Sequence, residues 1–213
     1  MRCVSTGARS PDGSLARAER LLAAGKNVYL AGFMGTGKSS AAKAMGRILG
    51  APWIDLDDAI AQEQGMSVKE IFATRGERAF RNAEHRALKA VVASGGRVVA
   101  LGGGAVCFER NRTVLRGSGP IVLLTAPVEI VLERVGRSTG RPLLAGPDAP
   151  VRARALLARR MRDYRRYRLR VDTGELTPRA TAEAVLHVID AAGRHAEATR
   201  ARDMAARRGG TCR

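Results

Sequence analysis

Eight consecutive residues, Gly32-Phe33-Met34-Gly35-Thr36-Gly37-Lys38-Ser39, meet the spacing Gly-x-x-x-x-Gly-Lys-Ser at every constrained position. This is the P-loop pattern. Glycines at 32, 35 and 37 let backbone N–H groups turn inward around a phosphate with no Cβ in the way. The N-terminus of a following helix adds further donors and a partial positive charge at the same point. Lys38 can then reach the β- and γ-phosphates, and the Ser39 hydroxyl can ligate Mg²⁺. The plainer alternative is a glycine-rich turn that carries a lysine by chance. It explains neither the full spacing nor the order of strand, loop and helix around it, so the chain is read as binding a nucleoside triphosphate.

Four further groups carry chemistry. Asp55-Leu56-Asp57 closes a short apolar run, where alternate residues can point two carboxylates into one crevice. One would hold Mg²⁺ or its waters and the other would position and partly deprotonate an acceptor hydroxyl; alternatively, Asp57 or Asp58 merely N-caps the next helix. Gly76-Glu77-Arg78-Ala79-Phe80-Arg81 puts Arg81 one turn into a helix. From there its guanidinium can grip a carboxylate with two hydrogen bonds, although an isolated arginine is more often a surface residue. Gly102-Gly103-Gly104 follows a strand and permits close approach of backbone to a ligand, or makes an ordinary tight turn. No acidic residue ends that strand, which argues for a small kinase over a hydrolysis-driven machine. Arg134, Arg137 and Arg141 frame a loop, and Arg160 lies in the next helix. Arginines on a lid can close over a transferring phosphoryl group and neutralise its charge. Because Arg159 and Arg160 are adjacent, at most one of them shares a face with the site. His85, His187 and His195 lack paired ligands and are read as structural or solvent-facing.

The elements that must position these residues alternate between strand and helix. Short apolar runs at Asn27–Ala31, Trp53–Asp55, Arg97–Ala100, Ile121–Thr125 and Leu169–Asp172 read as strands. Helices are expected over 37–49, from Leu56 to Gln64, from Val68 to Thr74, over 77–94, 109–116 and 127–135, and then over 151–167 and 178–191. Ser67 and Glu70 form a capping box for the third of these, and Gly76 breaks it from the fourth. The stretch 136–150, rich in glycine, proline and small residues, reads as a mobile lid. This alternation implies a parallel sheet covered on both faces, with ligands at the carboxyl ends of the strands. The P-loop, the Asp55/Asp57 pair and the glycine run all fall there.

At 213 residues the chain suits one domain with tails. It has no apolar run of transmembrane length and no hydrophobic leader segment. Cys3, Cys107 and Cys212 are widely separated, so neither a zinc site nor a disulfide framework is visible, and a reduced, cytosolic protein is expected. The formal charge is +17, and twelve arginines against two aspartates between Arg134 and Arg170 supply +10 of it. This is a surface for anionic ligands, a nucleic-acid footprint, or an arginine-rich solvated helix. Interleaved aromatics are limited to Tyr164 and Tyr167, so nucleic acid is the weakest of the three.

In order along the chain stand the P-loop Gly32–Ser39, Asp55-x-Asp57, Phe72-Ala73-x-x-Gly76-Glu77-x-x-Phe80-Arg81, Gly102–Gly104, Arg141-Pro142-Leu143-Leu144 and Arg160-x-x-x-Tyr164. The set resembles the shikimate kinase family over about Lys26 to Ala192. The resemblance implies a three-layer α/β/α P-loop kinase of the nucleoside monophosphate kinase type, with a five-stranded parallel sheet and a mobile lid. It implies transfer of the γ-phosphoryl group of ATP to the 3-hydroxyl of shikimate. By the same resemblance Asp57, Arg81, Gly103 and Arg160, with the flanking Gly102 and Gly104, hold shikimate, and the two arginines take its carboxylate. Gly35, Thr36, Gly37, Lys38, Ser39 and Ser40 hold the ATP phosphates. Ser39 binds Mg²⁺, and Asp55 contacts the metal's water shell. Arg141 is the lid arginine on the phosphates, and Arg134 lies where adenine is contacted. Lys38, Asp57 and Arg141 are the catalytic set. Three positions depart from the family pattern, Met161, Arg168 and Leu176, and bear on adenine contacts and lid geometry.

The expectation is therefore a cytosolic, monomeric shikimate kinase that uses ATP and Mg²⁺. A flexible extension would occupy 1–25, with Ser14 to Ala24 either a short amphipathic helix or part of that loose stretch, the kinase domain 26–192 and a basic, disordered tail 193–213. A gluconate kinase would share the P-loop without needing Asp57, Arg81 and Arg160 together. A basic nucleic-acid binder would show steeply salt-dependent binding that survives Lys38→Ala. A catalytically inert scaffold is a third alternative, but every chemically needed residue is present.

Overall fold

The computed structural model of the chain describes residues 14–136 and 148–209. Five parallel strands form one sheet: β1 (Val28–Gly32), β2 (Trp53–Asp55), β3 (Val98–Ala100), β4 (Ile121–Thr125) and β5 (Arg170–Asp172), in the order β2-β3-β1-β4-β5. Every residue of β1 and β3 is buried, as central strands covered on both faces must be, whereas edge strand β2 leaves Trp53 40% exposed. The helices are α1 (Ser14–Ala23), α2 (Lys38–Leu49), α3 (Leu56–Gln64), α4 (Val68–Ser94), α5 (Glu109–Leu115), α6 (Val128–Gly136), α7 (Ala149–Tyr164) and α8 (Pro178–Gly209), with a short 3-10 turn at Ala105–Cys107.

Strand alternation sorts the core into two layers. Tyr29, Ala31, Val99 and Leu123 face one way, against Leu56 and Ile60 of α3, Phe80 and Leu88 of α4 and Tyr164 of α7. Val28, Leu30, Val98 and Val122 face the other way, against Ala18 of α1, Met45 of α2 and Leu186 of α8. This is the three-layer α/β/α arrangement expected from the alternating pattern. Because β1 lies between β3 and β4, the chain departs to opposite sides of it. A crevice opens at the carboxyl ends of the central strands, where ligands bind in open α/β sheets.

Local chemistry sets the element ends that matter for the site. Ser67 accepts the Glu70 N–H and the Glu70 carboxylate accepts the Ser67 N–H, so α4 starts with the expected capping box. Gly76 (φ 77°, ψ 171°) kinks α4 at the expected break. That dihedral pair is open to glycine alone, and it redirects the second half of the helix, which carries Arg81.

Both chain extensions are helical over their described residues. Residues 14–23 form a helix with Ala18 and Leu22 buried against the core, which is the amphipathic-helix alternative for this stretch and not the loose extension. α8 runs past Gly193 to Gly209, where a disordered tail was expected. The reason lies in their mutual packing. Arg17 of α1 crosses over Gly193, at whose position a Cβ would sit 1.9 Å from the Arg17 Cζ, and donates to Glu197 at 2.8 Å. Gly193, where the disordered tail was expected to begin, is instead the gap that admits a side chain, while Ala- and Arg-rich sequence continues the helix around it. No helix among the described residues is long and apolar enough to cross a membrane.

Candidate active site

β1 delivers the P-loop. At Gly32 (φ 139°) a Cβ would lie 2.2 Å from the Leu124 carbonyl oxygen, so only glycine lets the chain leave the sheet beside β4. Gly37 (φ 83°) is the N-cap of α2 and offers no side-chain cap, which leaves the first N–H groups of α2 directed at the loop's interior. The buried Thr36 hydroxyl donates to the Phe33 carbonyl at 2.8 Å, and the Thr36 carbonyl accepts from the Thr173 hydroxyl at 3.0 Å. These bonds tie the loop to the end of β5. Gly35, Thr36, Gly37, Lys38, Ser39 and Ser40 line one wall of a pocket. Arg134, Leu176 and Pro178 line the other. Arg134 Nη2 donates to the carbonyls of Thr173 and Gly174 at 2.7 and 3.0 Å, so its guanidinium plane is held by backbone at the pocket rim.

A second pocket lies on the other side of Lys38 and Ser39, which line both. Lys38 Nζ donates to the Phe33 carbonyl at 2.9 Å, at the boundary between them. The Ser39 hydroxyl donates to Asp55 Oδ2. Asp55 Oδ1 in turn accepts the N–H groups of Asp57 (2.9 Å) and Asp58 (3.4 Å). The N-cap of α3 is therefore Asp55, not Asp57 or Asp58 as the cap alternative had it, because its position one residue before the helix lets its carboxylate meet those N–H groups. Asp57 is left to the wall of the second pocket. As a donor set, Ser39 and Asp55 are small, hard and all-oxygen, which suits Mg²⁺ with water and phosphate completing its shell.

The same pocket holds Arg81 and Arg160. Arg81 Nη1 donates to Glu84 at 3.1 and 3.2 Å, and its Nε and Nη2 donate to Glu77 at 3.2 Å. Its guanidinium carbon lies 4.6 Å from the ring centre of Phe108 and 5.1 Å from that of Phe80, so aromatic faces and carboxylates hold the plane from several sides. Arg160 Nη1 donates to the Gly103 carbonyl at 3.2 Å, and its guanidinium carbon lies 5.5 Å from the Phe33 ring centre. Arg159 is exposed, so of the adjacent pair only Arg160 faces the site.

The glycine run explains itself in this geometry. A Cβ at Gly102 would lie 2.6 Å from Asp57 Oδ1 and 3.0 Å from Glu84 Oε1; at Gly103, 3.3 Å from Arg160 Nη1; at Gly104, 3.1 Å from both terminal nitrogens of Arg81. Each glycine makes room for a different charged group, which a single tight turn would not require.

Most of the predicted set thus converges, on one side or the other of Lys38 and Ser39. Arg141 and Arg137, together with most of the expected lid, lie outside the described residues. Sequence reasoning missed Glu84, which is fully buried and bonded to Arg81 and to Asn111 Nδ2 (3.2 Å). The signal was present, since Arg81 and Glu84 sit three apart on a helix, the spacing at which side chains meet. Burial pushes the Glu84 carboxyl above its ordinary pKa, against the opposing pull of Arg81 and Asn111. Asn111, Thr173 and Phe108 reach the site from distant elements and left no local signal.

A family model described as shikimate kinase matches residues 34–190. A shikimate kinase of Geobacter sulfurreducens is 45% identical over 149 residues, covering 70% of this chain and 82% of the relative. One from Mycobacterium marinum is 40% identical over 162 residues, covering 76% and 88%. Among solved structures, shikimate kinase from Acinetobacter baumannii in complex with shikimate superposes with a TM-score of 0.76 at 32% identity, covering 81% of this chain and 97% of that one. Shikimate kinase from Aquifex aeolicus superposes with a TM-score of 0.68 at 30% identity, covering 78% and 98%.

Proposed function

The chain belongs to the shikimate kinase family, and from that premise we propose how its own residues divide the work of the reaction. It transfers the γ-phosphoryl group of ATP to the 3-hydroxyl of shikimate, giving shikimate 3-phosphate and ADP. The observation that carries the assignment of roles is that two pockets meet at Lys38 and Ser39. One has the P-loop as its wall, and the other has Asp57, Arg81 and Arg160. A phosphoryl donor in the first and a carboxylate-bearing alcohol in the second would face each other across those two side chains.

Arg81 and Arg160 take the carboxylate of shikimate, with Gly103 between them. Asp57 receives a hydrogen bond from the acceptor hydroxyl and orients it, drawing off its proton as the new P–O bond forms. Gly35 to Ser40 enclose the phosphates of ATP, and Lys38 leaves the Phe33 carbonyl to follow the charge that develops on the γ-phosphoryl group. Arg141 adds a second positive charge there, and Arg134 with Leu176 frames the adenine. Ser39 would hold Mg²⁺ directly and Asp55 would hold it through water. That ion supplies charge neutralisation on the β- and γ-phosphates when bound. Most of the rate enhancement comes from fixing donor and acceptor in line and balancing charge, since the phosphoryl transfer needs little covalent help from the protein. Residues 26–192 carry these functions, in a cytosolic monomer.

The test is ADP release by the purified full-length protein with Mg²⁺ and ATP, with shikimate, gluconate or a nucleoside monophosphate as acceptor. ADP release that depends on shikimate, and not on the other acceptors, is the expected result. Release with gluconate or a nucleoside monophosphate alone would overturn the acceptor assignment and leave the P-loop reading standing. Light scattering of the same sample, expected to give the mass of one chain, checks the monomer.

A further inference from the structure

Resting on the reading of Arg81 as a residue that grips the substrate carboxylate, we infer that Asn111 and His85 are positioning residues for the acceptor pocket, acting on Arg81 through Glu84. Asn111 belongs to α5, does not line the pocket, and is fully buried. Its Nδ2 donates to Glu84 Oε2 at 3.2 Å and to the Ala105 carbonyl at 3.0 Å. Both amide hydrogens are thereby used, so Asn111 Oδ1 accepts, and His85 Nδ1, 2.9 Å away, carries the hydrogen between them. Donation runs from His85 to Asn111 to Glu84, which also accepts from Arg81.

The second bond of Asn111 matters as much as the first. Ala105 opens the 3-10 turn that ends the glycine run, and its N–H donates to the Gly102 carbonyl at 3.0 Å. One amide therefore fixes two walls of the pocket, the glycine run through Ala105 and the Arg81 guanidinium through Glu84. Removing it leaves Glu84 with one strong partner where it had two, and a fully buried carboxylate short of a donor turns to find another. Arg81 follows it, since Glu84 holds the same Nη1 that lies within 3.1 Å of the Gly104 Cβ position. The P-loop is not part of this network, so the effect falls on one substrate only.

The experiment compares wild type with Asn111→Leu, Asn111→Asp, His85→Leu and His85→Asn. It measures KM for shikimate and for ATP separately, shikimate Kd by calorimetry, and thermal unfolding of each variant. Asn111→Leu is expected to raise KM and Kd for shikimate about tenfold while KM for ATP stays within about twofold. Asn111→Asp should do more, because it sets a second carboxylate against Glu84. His85→Leu should shift shikimate binding in the same direction by less, and His85→Asn, whose amide N–H stands where Nδ1–H stood, should restore it. Folded Asn111→Leu protein with unchanged shikimate Kd, or with both KM values moved together, overturns the inference. If Asn111→Leu does not fold, the histidine pair decides: His85→Leu equal to wild type in shikimate Kd overturns it. A wild type that binds no shikimate overturns the functional reading and this inference with it. A wild type that binds shikimate, with variants that bind it equally, overturns the inference alone.

Discussion

At the scale of single residues, the acceptor pocket concentrates charge in very little space. Arg81 has two carboxylates and two aromatic faces around it before any substrate arrives, so its guanidinium is ordered in advance and little rotamer freedom is lost on binding. Arg81→Ala is expected to lower kcat/KM for shikimate by about two orders of magnitude, because a buried charge partner is lost, with KM for ATP nearly unchanged. Unchanged shikimate kinetics would remove Arg81 from the site. Glu84 makes a separate prediction. Its pKa is raised above the ordinary 4.5 by burial, so the folded state binds this proton more tightly than the unfolded chain. Stability then declines as pH rises from the ordinary glutamate value through the raised one. Denaturant unfolding from about pH 4.5 upward should show the stability of wild type relative to Glu84→Gln falling as pH rises. A difference that stays flat or grows with pH would contradict the direction of the shift.

At the scale of elements, the site is a meeting of strand ends with helix starts, and glycines decide how closely they meet. The run after β3 lets Asp57, Arg160 and Arg81 approach the backbone in succession. Gly102→Ala places a methyl group 2.6 Å from Asp57 Oδ1 and 3.0 Å from Glu84 Oε1. Neither carboxylate can yield without leaving its place in the pocket. A displacement of about an ångström in a positioning group costs about a hundredfold in rate, and that is the expected fall in kcat/KM for shikimate. Nucleotide binding, on the far side of Lys38, should persist. A Gly102→Ala enzyme with wild-type kinetics would show that the acceptor does not sit against this backbone. Elsewhere the elements carry ordinary terms: Ser67→Ala removes one side of the capping box that starts α4 and should cost about 1 kcal/mol in unfolding free energy.

At the scale of the whole molecule, the described parts of the extensions, α1 and the end of α8, lie away from the chemistry. The turn after α1 packs by its Gly25 backbone against Gly95, just before β3, whereas the site lies just after it. Two forces hold α1 in place, and their sizes differ. The Arg17–Glu197 pair has side chains 25% and 65% exposed, so it contributes at most about 1 kcal/mol. Burial of Leu22 and Ala18 against the core contributes about 2–4 kcal/mol by area. Deleting residues before Lys26 should therefore lower the melting temperature by several degrees while kcat and both KM values hold. Cutting the chain after Gly193, which removes Glu197, the Arg194 partner of Asp190 and the outer turns of α8, should cost less stability and leave activity intact. Loss of activity in a folded protein of either kind would place an extension in the site. The arginines of α7 separate by face in the same way. Arg160 turns into the pocket, while Arg152, Arg154, Arg159 and Arg162 are exposed, so most of the helix's charge is solvated surface.

What the sequence determined by itself was whatever is encoded by near neighbours. The P-loop is eight contiguous residues, the strands are short apolar runs, and the capping box and the Gly76 break are local signals with local causes. The residues proposed for the acceptor site were named there too, as an ordered set of motifs resembling one family. Tertiary structure decided what depends on elements far apart in the chain. Asp55 rather than Asp57 became the helix cap, three glycines became three separate clearances, and Glu84 became the buried partner of Arg81 with Asn111 behind it. Gly193, expected as the start of a disordered tail, became a passage for Arg17 because α1 lies across it. In each case the deciding interaction joins atoms whose closeness is a result of packing, and a one-dimensional pattern carries no record of it.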